Sequence, residues 1–151
     1  MKTYSASSAF LAFVAFFVFF LFCNVYAQQS SNLDKAVFHF EVSSTELTIK
    51  DQDTIKRMAQ KISCLNLKVL IESNTDITGS DEINIPLSQE RAEVVKNYFM
   101  SLGVPEDDIQ IISYAGTNPV NKDDTEEAYS QNRRTEVTLI DPQKETFPKI
   151  K

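Results

Sequence analysis

The chain has 151 residues, with 15 Lys and Arg against 21 Asp and Glu, a formal net charge of −6 at pH 7 and a single histidine. An acidic chain without a basic run is a poor partner for phosphate backbones or anionic lipid, which sets nucleic acid aside. One histidine and two cysteines give no metal-ligand spacing and no evident nucleophile–base pair, so no enzyme chemistry, metal or cofactor is expected.

Residues 1–27 read as a secretory signal. Lys2 lies near the start, an apolar run crowded with Phe extends from Ala9 to Cys23, and Val25-Tyr26-Ala27 supplies small-residue cleavage chemistry. The alternative is an uncleaved anchor, for which the run is short against the roughly 20 apolar residues that span a bilayer. Membrane contact is expected only through this segment. In both cases the remainder faces away from the cytoplasm, because Lys2 is the only charge flanking the run on its N-terminal side. Phe22 precedes Cys23 where a lipid-modified cysteine follows a small residue, so lipidation is not expected. With residues 1–27 removed, Cys64 stands alone, as a small buried apolar side chain near a helix end rather than half of a disulfide. A short polar lead over 28–35, one domain over 36–140 and a loose tail over 141–151 account for the rest.

In chain order, Val37-Phe38-His39-Phe40 alternates as a half-buried strand with Phe38 and Phe40 on the core face. Ile55, Met58, Ala59 and Ile62 fall at helical spacing, predicting a helix over about 51–63 with Thr48 or Asp53 as N-cap. A second strand runs through Leu67, Val69 and Ile71 and stops at the polar cluster Ser73-Asn74-Thr75-Asp76. Leu87, Val94, Val95, Tyr98, Phe99 and Leu102 mark a second helix, with Ser88 as N-cap and Gly103 ending it. Strands over 109–114 and 135–140 flank a loop at 116–124 and a helical turn at 126–131. Strand–helix–strand–helix–strand order with crossover-length helices implies some parallel pairing, hence an α/β two-layer sandwich.

Two stretches carry more than secondary structure. Asn74-Thr75-Asp76-Ile77-Thr78-Gly79-Ser80 is followed by Asn84, Leu87-Ser88 and Arg91-Ala92, and Asn132-Arg133-Arg134-Thr135-Glu136-Val137 comes near the end. The first resembles the T-D-x-x-G-S, N-x-x-L-S-x-x-R-A signature of the OmpA-like peptidoglycan-binding domain, and the second resembles the N-R-R-x-E-V strand entry near that domain's end. The resemblance covers about Val37 to Ile140. It implies a βαβαβ-type fold with a mixed sheet of about four strands and helices on one face. It further implies non-covalent binding of cell-wall peptidoglycan in the periplasm of a Gram-negative envelope, in association with the outer membrane or the wall. The pattern departs at Ser73-Asn74, where a glycine and an aromatic or histidine often precede T-D, and at Pro86.

Arg91 falls on or beside the core-facing stripe of its helix, so its guanidinium needs a partner. Asp76 follows the C-terminal end of a strand, where α/β sheets place ligand sites. With Arg91 in the first turn of the helix after the loop, both groups can line one cleft; geometry alone equally allows a structural Asp76–Arg91 salt bridge. The resemblance implies that Asp76 and Arg91 hold the diaminopimelate of the stem peptide. Asp76 would accept from its ammonium, and Arg91 would donate a two-pronged hydrogen bond to its carboxylate. Free N–H groups at the helix N-terminus would reinforce the carboxylate's binding. Thr75, Asn84 and Ser88 are candidate loop braces or ligand donors. Of Arg133 and Arg134, adjacent on a strand, one is expected at the cleft and the other in solvent. The competing function is a degenerate domain that binds other envelope proteins and not the wall.

Overall fold

The computed structural model describes residues 10–18, 21 and 33–148. Residues 10–18 are helical, and no helix among the described residues is long and apolar enough to cross a membrane. The expected cleavage site and Cys23 lie outside the described residues. The elements are β1 (Lys35–His39), α1 (Ile49–Leu65), β2 (Lys68–Asn74), α2 (Asp81–Ser101), β3 (Ile109–Ala115), α3 (Glu126–Asn132) and β4 (Arg134–Ile140), with one 3-10 turn at Glu106–Asp108.

The four strands form one mixed sheet in the order β1-β4-β2-β3. Strands β2 and β3 pair in parallel across the α2 crossover, whereas β4 runs antiparallel to both its neighbours, β1 and β2. The expected mixed sheet of four strands is therefore present. Phe38, Phe40, Val69, Ile71, Val137 and Leu139 meet Ile55, Met58 and Ile62 of α1 and Ala92, Val95 and Phe99 of α2 in one apolar core.

Local chemistry fixes the helix ends. Thr48 caps α1 with a capping box, its hydroxyl accepting from Asp51 N while the Asp51 carboxylate accepts from Thr48 N. Asn66 ends α1 in the left-handed region, at φ 53°. Helix α2 closes as the glycine predicts. Gly103, at φ +89°, donates to Met100 O, and Val104 N reaches back to Phe99 O at 3.2 Å, so a Schellman turn buries Val104 beside Phe99.

Three expectations need correction. Ser88 is not an N-cap: α2 starts at Asp81 behind Ser80 and carries Pro86 inside it, so Arg91 lies in the third turn, not the first. At 1.5 Å per residue the helix N-terminus is about 15 Å from Arg91, too far to share its ligand. Cys64 is half-buried and disulfide-bonded, not a lone apolar thiol. The described part of the tail is tied at its end, with Lys68 Nζ 5.6 Å from the centre of the Phe147 ring and Gln110 Nε2 donating to Pro148 O at 3.2 Å.

Candidate functional site

The C-terminal ends of β1, β2 and β3 and the start of β4 share one edge of the sheet, where the chain turns polar. Along α2, Asn84, Ser88 and Arg91 continue the buried stripe of Ala92, Val95 and Phe99. The sheet matches them. Thr135 and Ser73 are cross-strand partners whose hydroxyls hydrogen-bond at 2.9 Å, Ser113 is the next partner along, and its hydroxyl bonds that of Ser88. Each hydroxyl thus has a partner, and the row forms a floor between the apolar core and the charged groups above it. Ser88 also donates to Ile85 O, so its place is in this floor.

Arg91 is fully buried, at 0 % exposure. Its Nε donates to Ser44 O at 2.9 Å, Nη2 to Glu41 O at 3.0 Å and Nη1 to Asn74 O at 3.5 Å, while the guanidinium carbon lies 4.9 Å from the centre of the Phe40 ring. All three acceptors are neutral backbone carbonyls, and among the described residues no carboxylate forms an ion pair with Arg91. Burial, with a smaller push from Arg133 and a partial offset from Asp76, brings its pKa down to about 10. The side chain remains a cation at neutral pH.

Asp76 is oriented by its own loop and by the far end of the domain. Oδ1 accepts from Thr78 N at 2.9 Å and from the Thr78 hydroxyl, an Asx-type turn. Oδ2 pairs with Arg133 Nη1 at 3.1 Å. Asn84 braces that loop by donating from Nδ2 to Thr78 O at 2.8 Å, and Gly79 takes φ +83°, where a side chain would be strained. Gly116 brings the β3–α3 loop against the same turn: a Cβ there would stand 3.0 Å from Asp76 O. Beside Asp76, Thr75 Oγ1 and both polar atoms of the Asn74 amide are buried without a hydrogen-bond partner.

The second motif divides its work. Arg133 is the C-cap of α3, not a strand residue, and links three elements: Nη1 to Asp76, Nη2 to Glu126 at 2.7 Å and Nε to Phe40 O at 3.3 Å. Burial opposes its charge, but Glu126 and Asp76 outweigh this and hold its pKa above the ordinary arginine value. Arg134 is not solvated as expected. It is 4 % exposed, bonded to Glu136 at 2.8 Å and to Asn118 O, because the loop after β3 folds over it. Asn132 pins that loop, accepting from Val120 N and Asn121 N and donating to Asn121 O.

Asp76 and Arg91 therefore share one polar cluster, close enough for the carboxylate to favour the guanidinium's charge, yet they form no salt bridge with each other. The carboxylate's partner is Arg133. The cluster sets the buried Asp76 between the buried Arg91 and Arg133, and Glu126 at its rim makes two carboxylates against two guanidiniums. Arg133 takes both carboxylates, so Arg91 is the cation that a further anionic group would suit. Sequence reasoning missed the carbonyls of Glu41 and Ser44, which no side-chain pattern announces. It also missed Glu126, which the cap at Thr125 places in the first turn of α3.

The OmpA family model matches residues 39–133. The chain belongs to the OmpA family. Among relatives within the wider OmpA-like group, the peptidoglycan-binding protein ArfA of Mycobacterium tuberculosis H37Rv is 38% identical over 90 residues, covering 59% of this chain and 28% of ArfA. The peptidoglycan-associated lipoprotein of Pseudomonas putida is 31% identical over 100 residues, 66% of this chain and 60% of the lipoprotein. The chain thus spans less than two thirds of these relatives' lengths. The crystal structure of the peptidoglycan-associated lipoprotein from Burkholderia pseudomallei has a TM-score of 0.65 at 30% identity, covering 68% of this chain and 88% of that one. The C-terminal domain of Helicobacter pylori MotB has a TM-score of 0.62 at 26% identity, covering 69% and 83%. This OmpA-family sheet and its helices are the architecture of both.

Proposed function

We propose that this OmpA-family chain binds cell-wall peptidoglycan non-covalently, as a tether or organiser of the envelope and not as an enzyme acting on it. The single observation that carries the reading is Arg91, a fully buried guanidinium with only neutral carbonyl acceptors, in a cluster with Asp76 and Arg133. A buried cation without a counter-charge is costly, and a ligand carboxylate offsets that cost with an ionic, two-pronged pair that neutral carbonyls do not supply. The stem peptide's diaminopimelate end carries such a carboxylate beside an ammonium, for which Asp76 is the acceptor. Relatives named as peptidoglycan-binding and peptidoglycan-associated support the assignment. The periplasmic space between membrane and wall is the corresponding location.

In this reading Arg91 and Asp76 contact the ligand, Arg133 positions Asp76, Asn84 braces the loop, and Ser88 and Arg134 support the walls. Thr75 offers its unpartnered hydroxyl to the ligand. The test is sedimentation of the full chain with purified peptidoglycan, for wild type, Arg91→Lys and Asp76→Ala. Lysine keeps the charge and loses the fork, so each variant should bind at least about tenfold more weakly, the equivalent of about 1.4 kcal/mol. Wild-type protein left in the supernatant, or equal binding by all three, overturns the assignment.

A further inference from the structure

The residues that occupy Arg91 belong to one short segment, the connection from β1 to α1. Both its ends are clamped. At one, Phe40 N donates to Arg133 O at 3.0 Å and Arg133 Nε donates to Phe40 O; at the other, the capping box holds Thr48. Between these anchors Arg91 holds the Glu41 and Ser44 carbonyls and Leu47 packs against the core, and the segment's other hydrogen bonds are local. Ser44 N closes a turn on Glu41 O, Glu46 N donates to the Ser44 hydroxyl, and Gln52 Nε2 reaches Leu47 O. Val42 is 65 % exposed, and Ser43 sits at φ 53°, a left-handed conformation that costs an L residue free energy.

On the α2 side the same segment borders a groove of about 600 Å³, lined by Thr45, Glu46 and Leu47 on one wall and Val94, Asn97 and Tyr98 on the other. Open space beside this segment gives it room to move, whereas Arg91 beneath it has none. An exposed turn at residues 41–43 and a strained φ are the marks of a region that opens below the global unfolding free energy.

Building on the peptidoglycan reading, we propose that residues 41–47 are a removable cover whose Glu41 and Ser44 carbonyls stand in for the ligand's carboxylate, so that binding requires the cover to leave Arg91. The exchange is favourable in one direction because a carboxylate is a stronger acceptor for guanidinium than two carbonyls. Closure lowers apparent affinity by the fraction of molecules that are open. It also keeps the guanidinium hydrogen-bonded when no ligand is present.

The test uses a soluble stem tripeptide ending in meso-diaminopimelate, titrated calorimetrically into the full chain as wild type, Ser43→Pro and Ser43→Gly. Proline cannot take φ 53° and holds the cover open; glycine takes it freely and keeps the cover closed. The expected result is binding at least about threefold tighter by the proline variant than by the glycine variant, with wild type no tighter than the proline variant. Thermal melts establish that all three are folded, and hydrogen exchange of residues 42–47 in the free proteins should be fastest in the proline variant. Binding by Ser43→Pro that is equal to or weaker than binding by Ser43→Gly, while wild type binds, overturns the cover and leaves the peptidoglycan reading intact. Absence of binding in all three overturns both.

Discussion

Arg133 Nη1 lies 3.1 Å from Asp76 Oδ2, joining two residues 57 positions apart, and both side chains are more than nine-tenths buried. Breaking a buried pair from one side leaves an uncompensated charge. Asp76→Ala and Arg133→Met should each lower stability by about 3 kcal/mol, while the double variant should lose less than the sum by about 1 to 3 kcal/mol. Urea unfolding of the four proteins completes the cycle. Additive losses would mean that the ion pair contributes nothing as a pair.

The depressed pKa of Arg91 makes stability depend on pH in a definite direction. In the folded chain the group releases its proton near pH 10, whereas unfolded it holds it up to the ordinary, higher arginine value, so between the two the unfolded state binds more protons. Unfolding free energy therefore rises with pH across that window, by at most about 1.4 kcal/mol per unit for one proton. Measured as the difference between wild type and Arg91→Met from about pH 9 to about pH 11, the change should favour wild type. A flat difference would show that burial does not perturb this guanidinium.

Thr48 closes the capping box and also anchors one end of the 41–47 segment. Thr48→Ala should cost about 1 kcal/mol of unfolding free energy, within the ordinary range for an N-cap. The lost cap should also speed amide exchange in the first turn of α1. Unchanged stability would mean that water replaces the hydroxyl at no cost.

Gly116→Ala tests the close approach of the β3–α3 loop to Asp76. The added methyl would stand 3.0 Å from Asp76 O, a backbone atom that must give by a few tenths of an ångström to admit it, and in ordinary contact with Ile77 Cα at 3.6 Å. A loss of about 1 to 3 kcal/mol is expected, the usual range for overpacking. Peptidoglycan binding should fall with it, read by the same sedimentation assay. A neutral substitution would show that the two loops separate easily.

What could be read in advance followed local rules. Thr48, Gly103 and the alternation through Phe38 and Val69 each act within a few residues, and the chain formed the elements they announce. The start of α2 escaped because its first two turns look unhelical. Pro86 suggests a break, Ile83 and Ile85 are exposed, and the buried positions are Asn84 and Ser88, polar residues that an apolar period does not count. The site was half legible. The resemblance singled out Asp76, Arg91 and the double arginine, but their pairing depends on side-chain directions that only the fold decides. Arg133 became a cap and turned inward to Asp76. Arg91 met main-chain oxygens of residues 41 and 44, and a carbonyl is the same in every amino acid.

Sheet order adds a constraint on how the molecule comes together. The last strand in the chain, β4, occupies an interior place, hydrogen-bonded on one edge to β1 and on the other to β2. Until it inserts, the earliest strand has no ladder neighbour and the Asp76 carboxylate lacks its Arg133 partner. Two of the three strand pairings must therefore wait for distant segments to meet, from Ser73 with Thr135 up to Lys35 with Thr138, which favours slow, all-or-none closure. A chain in which β4 has not yet joined the sheet therefore has neither the β1 ladder nor the Asp76–Arg133 pair, and stays unfinished until that strand is in place.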